Sequence, residues 1–525
     1  MGDKTIEKSM MQGAVVLIVT SFIVKILSAV YRVPFQNLVG DEGFYVYQQV
    51  YPIYGIAMTL SLSGLPVYLS KLLAAKETQE EQAKVINYFF LTVSVLSLIG
   101  FVILYFGSTL LANAMGDLSL APLIKMVSLI FLLVPFLSTY RGFYQGQMEM
   151  KPTAFSQLLE QGSRVTVILV AGYLFMVNEW SVYKMGTIAT GGALIGGISA
   201  LAILYFYGRK NKNAPKISRS ELKGIAHFSK RLIIEGGTLC FFSAYLVIFQ
   251  LVDSFTVKQY LVFNGFDETS AKVAKGVFDR GQPLVQLGLV VAVSMTATFL
   301  PTLTKYYVTR QKEKYQETVQ SYLKVSAAIA SAASVGLALV LPYTNKALFS
   351  DNSGETALVL FMFSIFFVSM IQSYQTIYQS QSLMRYQFVA ALMGLFTKII
   401  FTPTLTYYFN TEGASISTIL GLGVCFLVLH CYLIRQQNKI RLSKQYIVKL
   451  LISLTSMSSL LIVYRLVLEQ LSWLEYGRLG SLMLTLIGVA VGFTIYMACV
   501  IQSRLFTKSE WEMLPFGKKV INYFY

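Results

Sequence analysis

The chain has 525 residues, 55% of them hydrophobic and only 13% charged, with a mean hydropathy of +0.59. An ordinary soluble domain is about a quarter charged, so this composition excludes a soluble globular protein. The net charge of +17 does not point to nucleic acid either, because the basic residues gather in short connections between apolar runs, where they set membrane topology.

A bilayer crossing needs about 20 apolar residues, and the chain offers fourteen such runs. In the first half they cover residues 10–31, 45–70, 86–111, 121–140, 153–176 and 185–207. In the second half they cover 232–255, 281–305, 319–341, 357–380, 386–409, 414–434, 447–468 and 479–501. The fold class is therefore all-α, a polytopic membrane protein. The first run follows Lys4 and Lys8 and leads into a charged loop, as a retained helix does and a cleaved leader does not. With the amino terminus inside, most of the 43 basic residues fall on the cytoplasmic side and both termini are cytoplasmic. The strongest indication is the loop with Arg209, Lys210, Lys212, Lys216, Arg219 and Lys223, supported by Arg435, Lys439, Arg441 and Lys444. Trp180, Trp473 and Trp511 sit near the expected water boundaries, as an aromatic belt places them.

The four cysteines (Cys240, Cys425, Cys431, Cys499) lie in apolar runs without a CxxC pair, and His227 and His430 are far apart. A disulfide framework and a zinc or other metal site are not expected. There is no GxxxxGK[ST] loop, so ATP hydrolysis is not expected and no bound cofactor is called for. A coupling ion, Na+ or H+, or the membrane voltage would supply the energy.

Shifting the chain on itself by about 234 residues aligns Tyr144-Gln145-Gly146-Gln147 with Tyr378-Gln379-Ser380-Gln381, Met150-Lys151 with Met384-Arg385, and Arg164 with Lys398. One residue further, Leu65-Pro66 falls on Leu300-Pro301, with Ser70-Lys71 and Thr304-Lys305 closing each helix. Six crossings return a chain to its starting side, so duplicated units share one orientation about an axis along the membrane normal. The expected organisation is a six-helix bundle over 1–228, a second over 229–440, and two further helices with a cytoplasmic tail over 441–525. Paired bundles of this kind suit a transporter with a site near the midplane, although they also serve as a plain scaffold.

A basic residue at the centre of a crossing costs about 2.5–3.5 kcal/mol on insertion scales, so each one calls for a reason. Lys25 shares a helical stripe with Ser21, Ser28 and Arg32. Lys398 is central in the eleventh run, with Gly394 rather than an acid one turn before it. Arg164 is central in the fifth, and Glu160 four residues earlier is placed to neutralise it. From Asp267 or Thr269 as cap, a helix carries Lys272, Lys275, Asp279, Gln282 and Gln286 on one stripe with Arg280 beside it, which reads as a wet channel wall or as a solvated surface helix. Gln372, Gln375, Thr376 and Gln379 share one side of the tenth run, suited to sugar hydroxyls or to bonds between helices. Glu235 and Asp253 in the seventh are candidates for carrying a coupling ion, with Arg231 as an alternative partner for Glu235.

Cations and amides with few acids describe a site for an anionic, hydroxyl-rich ligand, and phosphate fits. Two phosphate charges leaving an interior-negative cell gain about 4.6 kcal/mol per 100 mV, which favours export.

The segment Phe22-Ile-Val-Lys25-Ile-Leu-Ser28, the turn Gly40-Asp41-Glu42-Gly43, Gly64-Leu65-Pro66 with Ser70-Lys71, and Phe278-Asp279-Arg280 followed by Leu300-Pro301-Thr302-Leu303-Thr304-Lys305 carry a resemblance. The chain resembles the polysaccharide-transporter branch of the multidrug/oligosaccharidyl-lipid/polysaccharide exporter superfamily, and within it the SpoVB and MurJ-like lipid II flippases. The resemblance spans nearly the whole chain. It implies a fourteen-helix, V-shaped transporter working by alternating access, with helices one, two, seven and eight lining a cationic cavity. It also implies that the last two helices form a groove for a polyprenyl tail. Lys25 falls where the family carries a cavity arginine, and Asp279-Arg280 matches its Asp-Arg pair. The second helix departs, reading Tyr54-Gly55-Ile56-Ala57-Met58 where MurJ proteins have another arginine.

The expected function is a flippase for undecaprenyl-pyrophosphate-linked oligosaccharide, lipid II first, with a lipid-linked anionic glycan and membrane lipids as partners. Lys25, Arg280 and Lys398 would hold the headgroup, aided by Asp279, Arg164, Gln372 and Gln379. A flippase for another polysaccharide precursor and an ion-coupled multidrug exporter are the alternatives, though the latter would want an acidic cavity. A membrane enzyme is disfavoured because it usually needs a large outer loop bearing catalytic residues.

Overall fold

The computed structural model describes residues 19–211 apart from Ser21, 224–436, 442–470 and 477–512, with 517, 521 and 522. These residues are predominantly helical, and no strand occurs among them. Eleven of their helices are long and apolar enough to cross a membrane. Two of these, Phe22–Ala74 and Met384–Arg435, have 53 and 52 residues, about 80 Å of helix against about 30 Å of hydrocarbon. Each contains a reversal. The first turns at Gly40 (φ 69°, ψ −179°), the second at Phe409 and Asn410 (φ 51°, ψ −137°). Gly40 opens the Gly-Asp-Glu-Gly turn, where its positive φ explains the residue type. At the second reversal a Cβ on Gly413 would lie 1.9 Å from the Leu405 carbonyl oxygen, so only glycine lets the two crossings meet so closely. Adding the broken pair Gly281–Gly288 and Val290–Val308 brings the total into line with the fourteen apolar runs.

The chain is a multi-pass membrane protein. The Gln79–Phe106 helix shows why: its most apolar window has a hydropathy of 2.4, yet only 22% of that window is buried inside the protein. Apolar surface on that scale is stable only against lipid.

The molecule falls into two compact units, Met1–Asp279 and Arg280–Tyr525. The first runs past residue 228, where the repeat reading ends its N-terminal bundle, because two later helices pack closely on the second crossing. A Cβ on Gly64 would sit 2.3 Å from Cys240 Sγ, and one on Gly276 would sit 2.1 Å from the Asp41 carbonyl oxygen. Both are contacts that only a residue without a side chain permits. Gly64 ends a π-helical turn, Leu60–Gly64. The Glu268–Asp279 helix starts as the sequence predicts, with Asp267 accepting from the Thr269 and Ser270 N–H groups.

The spacing of about 234 residues reappears in backbone detail. Met148 and Ser382 both have φ 58°. Glu149 N donates to Tyr144 O at 2.8 Å, as Leu383 N does to Tyr378 O at 2.9 Å. The two buried tyrosines each donate their hydroxyl to a backbone carbonyl, of Leu204 and of Leu429. Gly116 (φ 76°) and Ser350 (φ 75°) form a second such pair. Each unit thus contains the same two turns.

Trp180 carries the Lys184 ammonium 4.5 Å over its ring, and Trp511 is buried against Phe506. Lys4, Lys8, Lys212, Lys216, Arg219, Lys223, Lys439, Arg441, Ser21 and Trp473 lie outside the described residues.

Candidate functional site

Three tyrosines of the second crossing, Tyr47, Tyr51 and Tyr54, are spaced i, i+4, i+7 and so share one helical face. All three are buried, as is Tyr31 at the start of the Arg32–Thr59 helix. Their rings carry two guanidinium groups. Arg32 stands 4.4 Å over Tyr51, and Arg164 stands 4.5 Å over Tyr54 and 5.3 Å from Tyr31. The Tyr31 and Tyr47 hydroxyls bond to each other at 3.1 Å. A small, partly open pocket, with room for about one water, is lined by Tyr47, Val50, Tyr51, Tyr54, Thr190 and Ala193.

Both arginines are fully buried, with relative exposures of 0% and 1%. Among the described residues, no protein acceptor is in hydrogen-bonding geometry with Nε, Nη1 or Nη2 of Arg32, or with Nε or Nη1 of Arg164. Arg32 lies beside the Tyr31 hydroxyl without bonding it in that geometry, and the remaining Arg164 nitrogen donates to Ser28 Oγ at 3.4 Å.

Glu160, which the sequence offers as one possible partner of Arg164, does not take that place. Glu160 Oε2 accepts instead from Arg141 Nη2 at 2.5 Å. Arg141 is a third fully buried arginine, and it also donates to Ser156 Oγ (3.1 Å) and to the Ser61 carbonyl (3.2 Å) within the π-helical turn. It takes the carboxylate because it approaches from a different helix, Val134–Gly146, with a geometry that also satisfies its other donors.

Burying an ion without a counter-ion costs several kcal/mol after relaxation, and a cation–π contact returns about 0.5–2 kcal/mol. The tyrosine cage therefore does not repay the burial of Arg32 and Arg164. What such a chamber can do is bind an anion, because its donors are already oriented and already dehydrated.

The other expected site residues fall as follows. Lys25 is exposed on its helix. Asp279 is buried and accepts both short bonds from Lys275 (2.6 and 2.7 Å), with the charges of Asp253 and Arg32 also acting on it. Asp253 is buried. Glu235 sits in a second π-helical turn and pairs with Arg231 at 2.8 Å, the alternative the sequence left open.

In the second unit, Arg280 is fully buried but held by Asp351 through two bonds of 2.7 and 2.9 Å, with Phe349 5.1 Å from its guanidinium. Asp351 lies outside the crossings. Its partial burial works against ionisation, but the bonds from Arg280 and the Ser353 N–H outweigh that and hold the carboxyl below its usual range. The repeat explains this pair. Asp351 corresponds to Asp117, which likewise caps the N–H two residues on, that of Ser119 at 3.1 Å against Ser353 at 2.7 Å. With the one-residue offset of the Leu-Pro match, Arg280 corresponds to Tyr45, whose hydroxyl reaches Asp117 at 3.4 Å. Arg280 is thus tied to a turn at a position where the other unit makes the same tie with a tyrosine. Lys398 is fully buried and donates to Thr418 Oγ1 at 2.6 Å. Gln372 and Gln379 are half-buried, and among the described residues no donor bonds Gln372 Oε1.

The sequence reading missed the cage and Arg141. The i, i+4, i+7 tyrosines were legible as an aromatic face. Arg141 falls just beyond the fourth apolar run, which ends at residue 140, whereas the helix continues to Gly146.

A family model described as "Polysaccharide biosynthesis protein" matches residues 10–307, more than half of the chain. The chain belongs to this family. In Bacillus subtilis, the uncharacterized membrane protein YabM is 35% identical over 97% of this chain and 95% of its own length. The lipid II flippase MurJ of the same organism is 24% identical over 96% of this chain and 97% of its own, and its stage V sporulation protein B is 22% identical over 98% and 99%. Among solved structures, MurJ in an inward closed conformation superposes with a TM-score of 0.70 at 15% identity, covering 93% of this chain and 99% of that one. An inward-facing multidrug resistance MATE transporter of the MOP superfamily gives 0.65 at 13% identity, covering 81% and 98%. These likenesses establish the fold.

Proposed function

We propose that this protein is a flippase that moves a lipid-linked, phosphate-bearing polysaccharide precursor from the inner to the outer leaflet by alternating access, with both termini cytoplasmic. The observation that carries the reading is the pair Arg32 and Arg164, buried and, among the described residues, bonded to no carboxylate, beside a small pocket in a chain of the polysaccharide biosynthesis family. Their guanidinium donors suit a phosphate or diphosphate, and the tyrosine rings offer faces on which sugar rings stack. Lipid II is the substrate favoured by the relative named lipid II flippase MurJ. A cationic chamber disfavours the cationic compounds that a drug exporter would carry.

Export of an anion is driven by an interior-negative membrane voltage, and a coupling ion, H+ or Na+, would act through buried Asp253. Glu235 is less suited because Arg231 already holds it. The test is reconstitution into vesicles containing a labelled polyprenyl-diphosphate oligosaccharide, with translocation read as its exposure to an impermeant enzyme. Wild type should translocate, and Arg32→Met and Arg164→Met should not. Translocation that persists in the double variant refutes the site.

A further inference from the structure

The chamber stays cationic only because the acid nearest to Arg164 along its helix is engaged elsewhere. Glu160 precedes Arg164 by four residues, a separation at which glutamate and arginine ordinarily pair. Its charge reaches Tyr54, the ring that carries Arg164. Glu160 nevertheless points to Arg141, whose three partners are Glu160, Ser156 Oγ and the Ser61 carbonyl that the π-helical turn presents to it. A π turn widens the helix and displaces its carbonyls from the regular ladder, and here one of them is bonded from another helix.

We propose that Arg141 is a positioning residue: by sequestering Glu160 it prevents the Arg32–Arg164 chamber from neutralising itself, and so keeps both guanidinium groups available to an oxyanion of the phosphate or diphosphate class. The proposal rests on the reading of the chamber as the headgroup site and adds the residue that sets its charge. Without Arg141, the cation nearest to the buried Glu160 carboxylate along its own helix is Arg164, one turn further on, at the separation where glutamate and arginine pair. The chamber would then hold one uncompensated guanidinium instead of two.

The experiment measures binding of inorganic pyrophosphate, and separately of a polyprenyl diphosphate in nanodiscs, to the purified full-length chain. Arg141→Gln should weaken binding by about tenfold or more, since an opposing unit charge enters a site of low dielectric. Adding Glu160→Gln to that variant should restore binding to within about threefold of wild type, because the competitor has lost its charge. A role for Arg141 in folding alone predicts the reverse, since the bonds to Ser61 and Ser156 remain broken in the double variant. Failure of the double variant to recover therefore overturns the proposal, and so does wild-type affinity in Arg141→Gln. If Arg141→Gln does not fold, the double variant decides: near-wild-type affinity supports the proposal, and loss of affinity refutes it. Absence of binding of either probe to the wild type refutes the chamber as a headgroup site and this proposal with it. Wild-type binding with an unaffected Arg141→Gln removes only the role of Arg141. Binding of the lipid diphosphate but not the free ion, or the converse, identifies the source of the anion.

Discussion

Replacing Arg32 or Arg164 with methionine should make the protein more stable and inactive at the same time. Methionine has a similar length and adapts to irregular gaps. Among the described residues, the three nitrogens of Arg32 have no acceptor in hydrogen-bonding geometry and one ring faces the guanidinium. Each buried unsatisfied donor costs about 1–3 kcal/mol, and more when charged, while the Tyr51 ring returns at most about 2 kcal/mol. The balance is unfavourable by a few kcal/mol, in keeping with buried ionic groups whose hydrophobic replacement stabilises by about 1–4 kcal/mol. Arg164 has two rings and the Ser28 hydroxyl, so its replacement should gain less. Because a large membrane protein unfolds irreversibly, the measurement is the apparent unfolding temperature in one detergent at one scan rate. The expected change is a rise of about 1–3 °C for Arg32→Met and a smaller one for Arg164→Met. Translocation in vesicles should be lost in both. A fall in unfolding temperature would mean that the arginines serve the fold, and the argument for an anion site from their unmet donors would fail.

Three further outcomes follow from the same contacts. Gly276→Ala puts a methyl 2.1 Å from the Asp41 carbonyl oxygen, so the Glu268–Asp279 helix must shift, and a loss of about 1–3 kcal/mol should appear as a lower unfolding temperature. Asp351→Asn leaves fully buried Arg280 without its counter-ion; removing one partner of a buried pair costs about 3–5 kcal/mol, but with the Asp351 side chain 43% exposed solvent screening should reduce this to about 1–2 kcal/mol. The Asp351 carboxyl is held below its usual range, so its contribution is complete above about pH 4 and is lost as pH falls through the depressed value. Wild type should therefore show an acid-labile component below about pH 4 that Asp351→Asn lacks. Tyr54→Leu removes one ring from Arg164, and should weaken pyrophosphate binding by about 2- to 30-fold while leaving insertion unchanged, read by titration calorimetry.

The crossings were legible because hydropathy over some twenty residues is a local property, and the two reversals were legible where a glycine-rich turn announced them. The partners of buried charges were not, because they are decided by which helices face each other. Glu160 illustrates the difference. Its spacing from Arg164 is the local signal for a pair, but Arg141, on another helix, offers it a fork and brings two more acceptors into register. The error was amplified by a boundary. Ending the fourth apolar run at Tyr140 made Arg141 a loop residue, although apolar content falls near a crossing's end without the helix ending there.

The duplication corrects the reading of Arg280 in the same way. Taken alone, a fully buried arginine in a Phe-Asp-Arg segment invites a ligand. Set beside its counterpart Tyr45, it becomes one of two solutions to a single packing problem, fixing a helix to the Asp-x-Ser turn that recurs in each unit. A tyrosine hydroxyl and a guanidinium can both donate to that aspartate, so the tie tolerates the exchange. Comparing Arg164 with Lys398 by the same spacing separates the halves functionally. Lys398 donates to Thr418 on the next crossing, which satisfies an ammonium group without a ligand. Arg164 rests on two aromatic faces and makes a long bond to Ser28, and among the described residues its Nε and Nη1 find no acceptor in hydrogen-bonding geometry. Of the two equivalent buried cations, the one in the first unit is the one whose hydrogen-bonding capacity is left for an anion to fill.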